Sequence, residues 1–298
     1  RFDRQITVDL PTLRDRESIL KIHARDKVLA DHVDLERVAR GTPGFSGADL
    51  ENLLNEAALL AAREDKQAVE QEDIEEARDK VLMGLQRESI ALTEEECELL
   101  AYHEAGHAVL AAVLPHADPI HKVTIVPRGR AMGVTQQLPE RERYVYRREY
   151  MLDRLAVMMG GRAAEDVVLG TSTSGAEDDL RQATELARRM VLSWGMSERL
   201  GQLAFGGRHQ QVFLGEEIAQ RREYSEQTAR EVDEEIKAIL DQAYGRAVSA
   251  LEEHRDGLDS LARALREKEE IGGAEVLEIL GVDREVLSTE GAGCHSKM

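Results

Sequence analysis

From Leu99 to Leu114 the chain reads LLAYHEAGHAVLAAVL, and no other stretch limits the possible folds so strongly. Leu99, Leu100, Ala105, Ala108, Val109, Ala111 and Ala112 make a helix that is largely buried, so other elements must pack around it. Thr93, followed three residues later by Glu96, is a capping-box signature that opens this helix, and Pro115 and Pro119 close it. Yet the same helix carries His103, Glu104 and His107. Burying two imidazoles and a carboxylate is costly unless partners or a metal ion offset their desolvation.

The rest of the sequence is mainly helical. A turn at Pro11 leads into an amphipathic helix carrying Ile19, Leu20 and Ile22, and three more helices follow before about residue 85, with a Gly/Pro/Ser loop at Gly41–Ser46. Residues 1–85 thus form a small helical unit. Beyond the buried helix, HKVTIVPRGRAMGVTQQLPE alternates β-branched and polar residues around Gly129, predicting two short strands. Helices resume at RREYMLDRLAVMMGGRAAEDVVLG, and Ser174 with Glu177 caps another that runs to about Trp194. A charged helical region extends from Glu216 to about Glu270, broken near Gly257, and residues 286–298 read as a disordered tail. The fold class expected is a mainly α chain of two domains, 1–85 and 86–285, the second with a short β-sheet.

Composition removes several functions. Of 298 residues, 39 are Lys or Arg and 58 are Asp or Glu, giving a net charge of −19 that would oppose nucleic-acid binding. Cys97 and Cys294 are the only cysteines, too few for a disulfide framework or a thiolate metal site, so any zinc must use histidine and carboxylate. No apolar run approaches the roughly 18 residues needed to span a bilayer, so a soluble polypeptide is expected. The chain opens on RFDRQITVDLP without an initiator methionine, and is read as part of a longer protein. No G-x-x-x-x-G-K-[ST] occurs in it, so it has no P-loop to cradle nucleotide phosphates.

Histidines four apart on a helix lie about 40° from one another around the axis, so both rings can face one ion. His103, Glu104 and His107 form the H-E-x-x-H arrangement, in which zinc polarises a water and the glutamate takes its proton for attack on an amide carbonyl. Gly106 leaves room for a second backbone or a substrate to approach closely. The plain alternative is a helix with two solvent-facing histidines. A catalytic zinc also needs a third protein ligand, and the metzincin layout is excluded because Leu110 stands where a glycine belongs and Val113 where a histidine belongs.

The third ligand must therefore come from another helix. After Ser174, the residues Ala176, Leu180, Ala183, Ala187, Met190, Val191 and Trp194 define one stripe, and Asp179 falls about 60° from its centre, while Asp178 faces water. Asp179 is the first candidate, against the simpler role of a carboxylate favoured by a helix N-terminus. Glu165 is the rival, since a following glutamate completes many such sites; Gly160 and Gly161 leave the phase of its helix open. His116 and His121 read as ordinary loop histidines. For substrate, the segment Val123, Thr124, Ile125 and Val126 is the candidate edge strand, able to pair with an extended peptide through its backbone.

Seven blocks in order, RFDRQ, GTPGFSGADLENLLNEAAL, HEAGHA, VTIVPRGRAMGVTQQLPE, GGRAAED, STSGAEDDLRQAT and WGMSERLG, resemble the FtsH family of membrane-anchored AAA+ zinc metalloproteases. The resemblance covers nearly the whole chain. It implies that His103, His107 and Asp179 bind Zn2+ with Glu104 as general base. Residues 1–85 then resemble the helical lid of an AAA+ module, with Gly47 and Ala48 bordering the adenine of ATP. Arg1 matches the second arginine of the family's RPGRFDR stretch, whose arginines reach the neighbouring subunit's nucleotide. The resemblance further implies a homo-hexamer, unfolded polypeptide substrates, ATP with Mg2+ in a full-length protein, and a place on the cytoplasmic side of the inner membrane. Because the P-loop and Walker B segments are absent from the sequence, ATP hydrolysis by this chain alone is not expected. The competing reading is a non-catalytic adaptor that keeps the H-E-x-x-H helix as scaffold; the intact Glu104 argues against it.

Overall fold

The computed structural model describes residues 8–87, 92–129, 131–139, 143, 145–205 and 225–282. The expected disordered tail, Arg1 and the start of the charged helical region lie outside these residues. The chain divides into two compact units, one of Arg1–Leu92 with Val126–Tyr144, the other of Thr93–Ile125 with Val145–Met298.

The first unit holds four helices, α1 (Leu13–His23), α2 (Leu35–Arg40), α3 (Gly47–Arg63) and α4 (Gln71–Met83). Thr12 with Asp15 and Ser46 with Asp49 form reciprocal capping boxes that start α1 and α3. Leu20, Phe45, Leu50, Leu53, Leu54, Ala57 and Ile74 make the core. The apolar face of α1 differs from the expected one: Ile22 is 53% exposed, and Arg16 is buried instead. At 100° per residue Ile22 lies about 200° from Leu20, whereas Arg16 shares its face. Arg16 is accommodated because its guanidinium donates to Ala39 O at 3.0 and 2.9 Å, closing the carbonyl end of α2.

The second unit is built around α5 (Glu94–Val113), started by the Thr93–Glu96 box. Ala101, Ala105, Ala108, Val109, Leu110, Ala111 and Ala112 are all fully buried, so the helix is enclosed along its C-terminal half. Around it stand α6 (Arg148–Met158), α7 (Gly160–Ala164), α8 (Glu177–Leu192), α9 (Glu226–Glu253), α10 (Arg255–Lys268) and α11 (Gly273–Leu280). Gly106 and Gly160 let α5 and α7 cross with their backbones touching: a Cβ on Gly106 would fall 2.4 Å from Gly160 O, and one on Gly160 would fall 2.8 Å from Gly106 O. Of the two visitors for which Gly106 leaves room, the structure shows a backbone.

Strand β1 (Ile120–Thr124) pairs antiparallel with a strand not foreseen in the sequence, Glu270–Gly272, in the register Lys122 to Gly272, Val123 to Ile271 and Thr124 to Glu270. The other expected strand, β2 (Val134–Gln137), belongs to the first unit, and the Glu270–Gly272 strand is β3 in chain order. The break expected near Gly257 in the long charged helix falls at His254. Gly257 instead lies within α10, where a Cβ would come 2.8 Å from Leu280 of α11. Among the described residues no helix is long and apolar enough to cross a membrane. The mainly α class with a small sheet is as the sequence leads one to expect.

Candidate metal centre

His103 and His107, one helical turn apart on α5, are 6% and 8% exposed, and Glu104 beside them is 6% exposed. Their outer ring nitrogens are fixed by partners that determine the tautomer. His107 Nδ1 lies 2.7 Å from Val157 O of α6; a carbonyl only accepts, so Nδ1 carries the proton and Nε2 presents a lone pair. His103 Nδ1 lies 2.7 Å from Glu165 Oε1, which places a proton there likewise and turns its Nε2 inward.

Those two inward nitrogens are 3.2 Å apart, and Asp179 Oδ2 lies 3.2 Å from His103 Nε2 and 3.4 Å from His107 Nε2. Three acceptors facing one another at such distances repel unless a proton or a cation lies among them. The spacing suits zinc, since ligands about 2.1 Å from a tetrahedral centre stand roughly 3.4 Å from each other. These residues form the one group among the described residues whose ligand atoms converge in this way. The cradle is tight on its other side as well, for a Cβ on Gly161 would strike the His103 ring at 2.4 to 2.6 Å. Only glycine at 161 lets that imidazole stand where it does.

Asp179 sits in the first turn of α8, on the flank that the helix buries. Leu186 is on this flank too, about 20° away, and is 9% exposed, whereas Leu180, expected in the apolar stripe, is 41% exposed. Asp178 faces water and pairs with Arg181 at 2.7 Å, as the helical phase predicts. The cap of this region differs from the expected one. A 3-10 turn, Ser174–Ala176, precedes α8, and its cap is Thr173, whose Oγ1 accepts from Gly175 N–H at 3.1 Å.

Glu165 is fully buried at the start of a π-helical segment, Glu165–Leu169, that continues α7. Besides His103 it accepts from Thr173 N–H at 2.9 Å and Thr173 Oγ1–H at 3.1 Å. It addresses the wrong nitrogen of His103 to share an ion with Asp179, and orients that ring instead. Thr173, Val157 and Gly161 complete the support. None was given a part in the site by the sequence reading, because a backbone carbonyl and a missing methyl leave no side-chain signature, and Thr173 was passed over for the hydroxyl beside it.

Residues 90–279 match peptidase family M41, and residues 32–76 match an AAA+ lid domain. The chain belongs to peptidase family M41. The match spans every residue of the site just described, while Gly47 and Ala48 fall in the lid match, at the first turn of α3 with Gly47 half-buried and Ala48 exposed. Among M41 relatives, the chain is 60% identical over 296 residues to "ATP-dependent zinc metalloprotease FtsH 2" of Salinibacter ruber (98% of this chain, 43% of the relative). To "ATP-dependent zinc metalloprotease FtsH" of Nitrosococcus oceani it is 53% identical over 279 residues (94% and 44%), and to that of Acidobacterium capsulatum 49% over 292 residues (98% and 46%). The chain thus spans less than half the length of these relatives. The resemblance to the FtsH family read from the seven blocks is borne out, and these relatives carry the name of ATP-dependent zinc metalloproteases.

The same contacts set the protonation of this M41 site. Burial opposes charge on His103, but hydrogen bonds to Asp179 and Glu165 outweigh it and raise its pKa to about 10. Burial likewise opposes charge on Asp179, yet His103 and His107 hold its carboxyl well below the usual range; burial opposes charge on Glu165 too, but hydrogen bonds from His103 and Thr173 lower its pKa. The segment proposed to receive substrate is less open than an edge strand should be. Val123, Thr124 and Ile125 are buried, Val126 lies past the end of β1, and β3 already occupies one flank of Lys122–Thr124, so that flank is closed to a peptide.

Proposed function

We propose that this chain is the proteolytic half of a longer ATP-dependent enzyme, a zinc endopeptidase domain (residues 86–285) preceded by an AAA+ lid (1–85), acting on unfolded or membrane-extracted polypeptides. The observation that carries the reading is the convergence of His103 Nε2, His107 Nε2 and Asp179 Oδ2 within 3.4 Å, with both rings held from behind so that Nε2 faces inward. These three residues hold Zn2+. Bound there, the ion supplies Lewis-acid polarisation of a water and of the scissile carbonyl. Glu104, one residue after the first ligand on the same helix, takes the proton of the attacking water and returns it to the leaving amine. Glu165 and Val157 O keep the two rings turned inward throughout.

In the full-length protein, ATP with Mg2+ drives unfolding, Gly47 and Ala48 border the adenine, Arg1 reaches a neighbour's nucleotide, and a membrane-anchored homo-hexamer on the cytoplasmic side of the inner membrane surrounds the substrate. The relatives' names support the ATP dependence and the lid match supports the role of residues 32–76, while the assembly, the membrane and the nucleotide contacts follow from the FtsH resemblance. The test is elemental analysis of the purified chain together with casein hydrolysis and the mass of the assembly. One zinc per subunit, cleavage of casein and a mass of six chains are expected; metal-free protein, or loaded protein inert on casein, contradicts the proposal.

A pH dependence follows from His103. Its pKa of about 10 describes the site without metal, so at neutral pH that ring is protonated and zinc must displace the proton. Because the folded-site pKa is raised, the competition by protons persists up to that value and strengthens on acidification. Zinc uptake near pH 7.5 should release about one proton, and its apparent affinity should rise about tenfold per pH unit up to the region of pH 9. Calorimetry in buffers of different ionisation heat measures this; uptake with no proton release contradicts it.

A further inference from the structure

Glu165 meets His103 from the one π-helical segment among the described residues, ended by Gly170 at φ 60°. Such turns are rare and need their surroundings to hold them. Two helices do so here. Tyr244 of α9 donates to Asp166 Oδ2 at 2.7 Å, and Arg255 of α10 donates through Nη1 to Val167 O at 3.3 Å. The Arg255 guanidinium is itself fixed by Asp259, whose two oxygens accept from its Nε at 3.0 and 3.1 Å. Asp259 Oδ1 also accepts from Tyr102 OH at 3.1 Å, and Tyr102 immediately precedes His103 on α5. The Arg255–Asp259 pair therefore ties together the two backbone segments whose side chains meet in the 2.7 Å bond between His103 and Glu165. An exposed i,i+4 ion pair would need neither Val167 O nor Tyr102.

We infer that Arg255 and Asp259 are positioning residues of the metal centre, bracing the π turn against α5 so that Glu165 reaches His103 Nδ1. The inference rests on the zinc reading of His103, His107 and Asp179. Its test uses the whole chain carrying Arg255→Gln, Asp259→Asn or Tyr102→Phe. The readouts are the rate of zinc release to a chromogenic chelator, the visible absorption of the cobalt-loaded protein, and the thermal midpoint of the metal-free protein.

Arg255→Gln and Asp259→Asn should each release zinc about tenfold faster, the low end of the effect of removing groups behind a ligand, and shift the cobalt bands in the same direction as Glu165→Gln. The thermal midpoint of the metal-free protein should move by only about 2–4 °C, as the loss of one partly exposed contact produces in a domain of this size. Since the pair acts through Glu165, Arg255→Gln combined with Glu165→Gln should release zinc no faster than Glu165→Gln alone. Arg255→Lys, which keeps the charge without the fork, should behave like Arg255→Gln. Tyr102→Phe removes a single hydroxyl and provides the same comparison should the other variants fail to fold, with about threefold faster release expected. Release rates and cobalt spectra identical to the parent, or additive effects in the double variant, overturn the inference. A parent chain that takes up no metal overturns the zinc reading beneath it, an outcome seen before any variant is measured.

Discussion

Glu104→Gln is expected to abolish peptide hydrolysis while leaving one zinc in every subunit. Gln preserves the shape of the side chain, so α5 and the backbone crossing at Gly106 are undisturbed. What it removes is the ability to accept a proton from the attacking water. A positioned general base is worth about 10²- to 10⁴-fold in rate, and casein cleavage should fall by that much. Zinc content should be unchanged, because Glu104 supplies none of the three converging atoms. A variant that keeps more than about a tenth of the parent rate would fall outside the range for a general base and would assign the proton transfer to another group.

The second large effect separates the two carboxylates. Asp179→Asn should lose the metal: a neutral amide is a poor ligand for zinc, and only two imidazoles would remain around the ion. Hydrolysis should disappear with it. Glu165→Gln should keep zinc, with affinity lowered about 10- to 100-fold, because it perturbs the orientation of His103 without removing a ligand. Elemental analysis after dialysis against a weak chelator distinguishes the two outcomes. Retention of zinc by Asp179→Asn together with its loss from Glu165→Gln would reverse the assignment.

The parts of this site that the sequence reveals are those encoded by local spacing. His103, Glu104 and His107 lie on one unbroken helix, where four residues make about one turn, so their common face follows from position alone. Asp179 is readable for the same reason, through the phase set by Ala176, Ala183 and Ala187, which are all fully buried. The limit of that method is visible on the same helix, where Leu180 is exposed and Leu186 buried; a stripe gives the direction of burial but not which flank a neighbour covers. Glu165 could be named only as a rival because it lies beyond the break at Met159, where the repeat of 100° per residue carried by α6 is lost. The strand Glu270–Gly272 escapes notice because three residues hold no periodicity, and only its pairing with β1 makes it a strand. The role of Gly106 needs its partner Gly160, a contact between residues far apart in the chain.

Diffraction data collected on either side of the zinc absorption edge from crystals of the metal-loaded chain test the central claim most directly. The structure predicts a single strong anomalous peak per subunit, about 2.0–2.2 Å from His103 Nε2, His107 Nε2 and a carboxylate oxygen of Asp179, with Glu165 still on the far nitrogen of His103. A peak coordinated by Glu165 in place of Asp179, or no peak between the two imidazoles, would contradict it.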